Sequence, residues 1–257
     1  KITIVGATSG DTGSAAIEAC RGRANIEIFI LHPQGRTSDV QRRQMTTVDA
    51  ANVHNIALKG TFDDCQDIVK ALFADGTFRT EFNLSAVNSI NWARIMAQIV
   101  YYVWAATRLG APRKVAFAVP TGNFGNVFAG YCAYRMGLPI ARFLVGSNRN
   151  DILTRYFETG SMTVECVQPS LSPSMDIQVS SNFERLLFEA YDRDGAAVSR
   201  LMDQFKQSAA YTVDAKAHAK ITALFGGRRL DDEGTKKVMR DVRDATGELI
   251  DPHSAVG

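Results

Sequence analysis

Two glycine-rich stretches have the residue types and spacing of anion sites: Gly6-Ala-Thr-Ser-Gly-Asp-Thr-Gly13 and Pro120-Thr-Gly-Asn-Phe-Gly-Asn126. Each follows an apolar, β-branched run and precedes a helix-forming one. A sharp turn there leaves the first free N–H groups of a helix facing outward, where a phosphate or carboxylate can bind. In the first stretch the hydroxyls of Thr8, Ser9 and Thr12 add donors around Gly10 and Asp11. In the second, Gly122 and Gly125 let backbone N–H groups converge without Cβ obstruction, beside the amides of Asn123 and Asn126 and the ring of Phe124, which suits a phosphate dianion. Neither stretch has the Walker pattern or G-x-G-x-x-G spacing, which disfavours a nucleotide. Taken singly, each reads equally as a plain strand-to-helix turn with a capped helix. Two such loops in one chain point to two bound anionic groups.

A third stretch, Asn88-Ser-Ile-Asn-Trp-Ala-Arg94, offers Asn88 or Ser89 as a helix cap and puts Asn91 and Arg94 three residues apart on one helical face. Arg94 can grip a phosphate or carboxylate bidentately, and a capped helix with a surface arginine is the plainer alternative. Asp251-Pro-His-Ser254 reads as a turn, with His253 a structural residue. Cys20, Cys65, Cys132 and Cys166 and the four histidines are scattered, without zinc or iron–sulfur spacing.

The elements that must hold these loops alternate. Residues 2–5 form a strand, 14–20 a helix and 26–31 a strand ended by His32-Pro33. A polar surface helix follows at 37–47, a strand at 53–58 and a helix at 62–73 behind Thr61 as N-cap, with a short strand near 80–84. A long helix over about 89–109 leads to a strand at 114–119, apolar on both faces as in a central parallel strand. Further helices are expected at 127–136, 151–157, 183–191 and 198–205 and one starting near Leu230, with a strand at 142–146. Repeated βα units imply an α/β chain of two open, mainly parallel sheets flanked by helices. The division expected is a smaller α/β domain with the first loop, residues 1–95, and a larger one with the second, residues 96–257.

Composition sets the outer bounds. The 257 residues are 46% hydrophobic and 22% charged, an ordinary globular balance, and a net charge of +2 gives no reason to expect nucleic acid as a partner. The longest apolar run, Ile90 to Ala106, is broken by Arg94 and Gln98 and reads as a buried helix rather than a membrane span. Unpaired cysteines fit a reducing compartment, by default the cytoplasm. Nothing in the pattern specifies an oligomeric state. The chain opens inside a strand at Lys1 and closes at Gly257 on what reads as the approach to another helix, so an excised piece of a longer protein is expected.

The segments GATSGDTGSAA, NSINWAR, VPTGNFGN, SPSMDIQVSSNFER and DPHSAVG, in that order, resemble those of the threonine synthases, pyridoxal-phosphate enzymes with the tryptophan-synthase-β type of fold, also called fold type II. The resemblance implies pyridoxal 5'-phosphate as cofactor and conversion of O-phosphohomoserine and water to L-threonine and phosphate. It implies that Gly122, Asn123, Phe124, Gly125 and Asn126 cradle the cofactor phosphate, that Asp11 lies beside the cofactor ring, and that Ser254 faces the pyridine nitrogen, where the family usually has threonine. On the substrate side it puts Thr8, Ser9, Gly10 and Thr12, joined by Asn88, Ser89, Asn91 and Arg94. The family's Schiff-base lysine lies upstream of the first loop's strand, and none of the lysines in this chain stands in such a motif. The isolated chain is therefore expected to be inactive, its catalytic lysine lying in a missing N-terminal portion. A related phospholyase or dehydratase, or a non-catalytic binder of phosphate ligands, is the alternative.

Overall fold

The computed structural model describes residues 1–8, 10–87, 91–110 and 112–257. The chain divides into two compact units, Lys1–Asn91 and Trp92–Gly257.

The first unit runs β1 (Ile2–Ala7), α1 (Asp11–Cys20), β2 (Ile26–Pro33), α2 (Asp39–Thr46), β3 (Val53–Leu58), α3 (Phe62–Ala74), α4 (Gly76–Glu81) and β4 (Leu84–Ala86). Its four strands pair in parallel in the order β3-β2-β1-β4, with Ile4 opposite Ile28. The central strands are apolar on both faces because both faces are covered. Ile17 and Ala16 of α1 and Met45 of α2 pack on Ile4, Ile28 and Ile30, while Cys65 of α3 packs on Val5 and Leu31 across the sheet. Thr61 caps α3 as its position predicts, in a reciprocal box with Asp64. The strand expected near 80–84 is displaced. Asp75 accepts from the N–H groups of Thr77 and Phe78, both at 3.0 Å, and this cap commits 76–81 to α4, so that β4 begins only at Leu84.

The second unit runs α5 (Trp92–Arg108), β5 (Val115–Pro120), α6 (Gly125–Arg135), β6 (Ile140–Ser147), α7 (Ile152–Thr159), β7 (Ser161–Thr163), a 3₁₀ turn at Pro173–Met175, α8 (Phe183–Ala190), α9 (Gly195–Ser208), β8 (Ala210–Thr212), α10 (Ala215–Thr222), β9 (Phe225–Arg229), α11 (Asp232–Thr246) and α12 (Pro252–Val256). Strands β5, β6 and β9 form a parallel sheet in that order, and β7 pairs antiparallel with β8. An aromatic cluster fills the core. Phe143 of β6 stacks on Phe225 of β9 at 5.1 Å between ring centroids, and Tyr156 of α7 meets Phe183 of α8 edge-on at 4.6 Å. Helix α5 departs from the expectation of a buried helix. Ile95, Tyr102 and Ala106 are buried, but Trp92, Met96, Val100 and Trp104, spaced by four, are exposed. A run that is apolar all round hides only the stripe that meets a neighbour.

Asp151 holds the end of β6 to its surroundings. Its carboxylate, 5% exposed, accepts from Arg155 Nε at 2.9 Å and from Arg229 Nη1 at 2.5 Å, linking α7 to the end of β9. Burial by itself would raise this carboxyl, but the hydrogen bonds from Arg229 and Arg155 outweigh it and hold it below the ordinary range. A carboxyl depressed on folding contributes stability above its unfolded value, and that stability is lost as pH falls through the folded one. Asp151→Asn is therefore expected to cost about 2 kcal/mol at pH 7, less than a fully buried pair because Arg229 is largely exposed. Urea titration should show the gap from wild type narrowing as pH falls below about 4, the unperturbed Asp value; a gap independent of pH would refute the ion-pair account.

Candidate functional site

The second glycine loop starts where β5 ends. Thr121 N–H donates to Gly146 O at 3.1 Å, carrying the ladder one residue past Pro120. The Thr121 hydroxyl then closes the turn, accepting from Phe124 N–H at 3.1 Å and donating to Asn126 Oδ1 at 2.6 Å. Asn126 Nδ2 donates back to Pro120 O at 3.0 Å. Two polar side chains thus hold the loop itself and leave its backbone to face outward. Phe124 sits in the left-handed region at φ 64°, and its ring is fully buried edge-on to Phe183 at 5.0 Å. Tyr102 of α5 donates its hydroxyl to Asn126 O at 2.7 Å, and burial pushes this phenol well above its usual range, so it remains a donor.

Residues 174–182 brace the same loop from the side. Ser180 Oγ donates to Gly122 O at 2.7 Å, Ser181 Oγ to Asn123 Oδ1 at 3.1 Å, and Asn182 donates both N–H and Nδ2 to Asn123 O at 3.1 Å. A Cβ on Gly122 would lie 3.0 Å from Ile177 Cδ1 and 3.1 Å from Ser174 O, so glycine is needed for this close approach. Among the described residues, the N–H groups of Asn123, Gly125 and Asn126 meet no acceptor. The loop thus offers converging neutral donors at the start of α6 and contains no carboxylate, a donor set that fits a phosphate dianion. Helix α12 abuts the carboxyl ends of the two neighbouring strands, since a Cβ on Gly146 would meet Val256 O at 2.9 Å and one on Gly257 would meet Pro120 Cδ at 2.8 Å. Ser254, in α12, is exposed and donates its hydroxyl to Asp251 Oδ2 at 2.7 Å.

In the first unit, the glycine loop joins β1 to α1. Thr8 is buried and its Oγ1 accepts from Gly10 N–H at 3.0 Å and Gly13 N–H at 2.9 Å, so it organises the turn. Gly10 has φ 151°, and a Cβ there would run into the side-chain amide of Gln41. The capped-helix alternative fails for Asp11: the N-cap position is Gly10 without a side-chain cap, and Asp11 is the first helical residue. The Asp11 carboxylate accepts from Gln41 Nε2 at 2.5 Å, and Gln41 Oε1 in turn accepts from Ser38 Oγ at 2.9 Å. Gln41 lies on the helix expected to be purely superficial. Its pairing with buried Met45 one turn on was the readable sign of an inward face. Thr12 is half-buried in the first turn of α1.

The expectations for Ser9, Asn88 and Ser89 lie outside the described residues. Helix α5 begins at Trp92, so Asn91 precedes it and shares no helical face with Arg94; its Nδ2 donates to Ala86 O at 3.4 Å. Arg94 is half-buried in the first turn, and burial pushes its guanidinium below the usual range. Six lysines, Lys1, Lys70, Lys206, Lys220, Lys236 and Lys237, are paired with carboxylates. Among the described residues no His, Cys, Asp and Glu cluster could hold a metal, and no helix is long and apolar enough to cross a membrane.

Residues 1–205 match the family described as "Pyridoxal-phosphate dependent enzyme", and the chain belongs to that family. Within it, the chain is 56% identical to a threonine synthase of Pseudomonas aeruginosa over 258 residues, covering 100% of this chain and 55% of that protein. The crystal structure of PLP-bound threonine synthase from Brucella melitensis superposes with a TM-score of 0.93 at 55% identity, covering 100% of this chain and 56% of that one. Maize serine racemase, at 14% identity and a TM-score of 0.66 over 99% of this chain and 64% of its own, shares the fold. The chain spans about half the length of the curated relatives it matches.

The left-handed conformation of Phe124 makes an ordering of variants. Phe124→Ala removes a buried ring and keeps the strained backbone, at an expected cost of about 3–5 kcal/mol. Phe124→Gly removes the same ring but also the left-handed penalty, about 1 kcal/mol per residue. Chemical denaturation should thus find Phe124→Gly more stable than Phe124→Ala by about that amount; the reverse order would place no strain at this residue.

Proposed function

We propose that the protein containing this chain is a threonine synthase, converting O-phosphohomoserine and water to L-threonine and phosphate with bound pyridoxal 5'-phosphate. The observation that carries the reading is the backbone cradle at 122–126, whose neutral N–H donors at the start of α6 suit a phosphate monoester, on a chain 56% identical to a threonine synthase. When bound, pyridoxal phosphate supplies the electron sink that allows protons to leave carbons near the substrate amino group. The residues of this chain position and polarise. Gly122, Asn123, Phe124, Gly125 and Asn126 would form the loop that holds the cofactor phosphate, through the main-chain N–H groups of Asn123, Gly125 and Asn126, with Gly122 closely packed against Ile177 and Ser174 behind it.

On the substrate side, Thr12, in the first turn of α1, is assigned to an anionic group, on a turn that Thr8 and Gly10 shape. Arg94, with Asn91, Asn88, Ser89 and Ser9, completes the set assigned to carboxylate and phosphate. Asp11, whose carboxylate accepts from Gln41 Nε2, is assigned to the cofactor ring. Ser254 would offer the pyridine nitrogen a neutral hydroxyl. To donate there its proton must leave Asp251 Oδ2. The base that moves protons at substrate carbon is assigned to a lysine outside this chain, since none of the nine lysines here stands in the family's lysine motif. Four free thiols, two of them buried, support a cytoplasmic setting.

The intact protein, supplied with O-phosphohomoserine, should release phosphate and form threonine in equal amounts; phosphate without threonine would instead mark an elimination that adds no water. Asp11→Ser should leave the melting temperature close to wild type and cut threonine formation at least about tenfold, equivalent to about 1.4 kcal/mol in the barrier. Unchanged turnover would remove Asp11 from the site and return its loop to a structural turn.

A further inference from the structure

Between Gln168 and Asn182 the chain has no regular element beyond one 3₁₀ turn, yet its residues touch the phosphate loop at Gly122 and Asn123. What fixes such a segment is a polar cluster centred on one carboxylate. Asp176 Oδ1 accepts from Ser170 Oγ at 2.6 Å, Asn148 Nδ2 at 2.8 Å and Asn150 Nδ2 at 3.0 Å, and its Oδ2 accepts from Ser170 N–H at 2.9 Å. Asn148 and Asn150 follow the end of β6 and are 1% and 4% exposed, so they present a rigid, desolvated donor pair to the segment. They are themselves locked. Asn148 Oδ1 accepts from Asn150 N–H at 2.8 Å, and Asn150 exchanges hydrogen bonds with the backbone of Gln168, both at 2.8 Å.

The next residue along, Ile177, is the one whose side chain stands against Gly122, and Ser180, Ser181 and Asn182 follow within one short stretch. A displacement of Asp176 therefore moves the wall and the donors that set the carbonyls of Gly122 and Asn123. Turning the Gly122 peptide turns the Asn123 N–H away from an anion, and turning the Asn123 peptide strains the Phe124 N–H bond to Thr121 that closes the loop, because each peptide unit is planar. The Asp176 carboxylate accepts from both asparagine amides and from Ser170, and Asn148 Nδ2 also lies 2.7 Å from Ser170 Oγ and 3.0 Å from Ser172 Oγ, so the carboxylate is the shared acceptor of a wider polar cluster.

We propose that Asp176 is a positioning residue for the cofactor phosphate, acting through the 170–182 segment on the loop at 122–126 without itself touching the ligand. The proposal rests on the phosphate-cradle reading above. In the intact protein, Asp176→Asn replaces an acceptor by an amide and should weaken binding of pyridoxal phosphate to the apoprotein at least tenfold. It should also shift and broaden the ³¹P resonance of the bound cofactor. Ser170→Ala, which removes the 2.6 Å donor to Asp176 and the acceptor of Asn148 Nδ2 and Ser172 N–H but keeps the Ser170 N–H bond to Asp176 Oδ2, should move both readouts in the same direction by less. Asp194→Ala serves as a control for general destabilisation, since it removes the cap of α9, where Asp194 accepts from Ala196 and Ala197 N–H. It should lower the melting temperature and leave the ³¹P signal unchanged. Should Asp176→Asn fail to fold, Ser170→Ala decides alone against the same control. Wild-type ³¹P position and affinity in both variants, or equal changes in Asp194→Ala, would overturn the proposal while the cradle reading stands; a wild-type protein that binds no pyridoxal phosphate would overturn both.

Discussion

The larger unit depends on a trade made at Phe124. A left-handed backbone at a residue with a Cβ costs about 1–2 kcal/mol, and burying a phenylalanine ring returns about 1.5–3 kcal/mol. The conformation is therefore sustained by the core, where the ring meets Phe183 and Phe225. The strain does specific work. It turns the chain sharply between β5 and α6, so that the N–H groups of Gly125 and Asn126 start a helix just where the strand's carboxyl end opens. The loop at 120–126 takes its rigidity from the aromatic core together with the hydrogen bonds of Thr121 and Asn126.

That arrangement changes which atoms count as functional. Thr8, Thr121 and Asn126 carry polar side chains in the two loops, and in each case the side chain is turned back to hold the loop. In the second loop the N–H groups of Asn123, Gly125 and Asn126 are left without an acceptor among the described residues. A hydroxyl that both accepts from one backbone group and donates to a side chain, as Thr121 does, cannot be exchanged for valine without leaving Phe124 N–H buried and unpaired, a cost of about 1–3 kcal/mol. Gln41 does for Asp11 what Tyr102 does for Asn126: a residue from a separate helix fixes the orientation of a group in the loop.

The parallel sheets, both glycine loops and most helix positions were legible because each depends on local pattern: β-branched runs, glycine turns, and apolar spacing backed by caps such as Thr61. What escaped was set by distant partners. The short strands β7 and β8 are three residues each and exist through their pairing across 50 residues, and β9 contains two glycines that weaken its own propensity, Gly227 packing against Thr154 of α7. The strand expected near Thr80 gave way to a helix because one carboxylate, Asp75, supplied a cap. At the site, the bracing by Ile177, Ser180 and Asn182 could not be deduced from spacing, since it joins segments some 58 residues apart. The motif SPSMDIQVSSNFER was visible as a resemblance, without the reason for it.

A neutral cradle also settles how charge is handled there. With no lysine or arginine in residues 120–126, a dianion held there would be balanced by peptide dipoles and the positive end of α6, about half an elementary charge. Such donors act over short distance and only in correct orientation, unlike a mobile ammonium group that can follow its ligand. Precision of the backbone is then the quantity on which affinity depends, which accounts for the density of hydrogen bonds invested behind the loop: the Thr121 turn, the Tyr102 tether, and the serine and asparagine braces, each holding a peptide that a cation would have left free to vary.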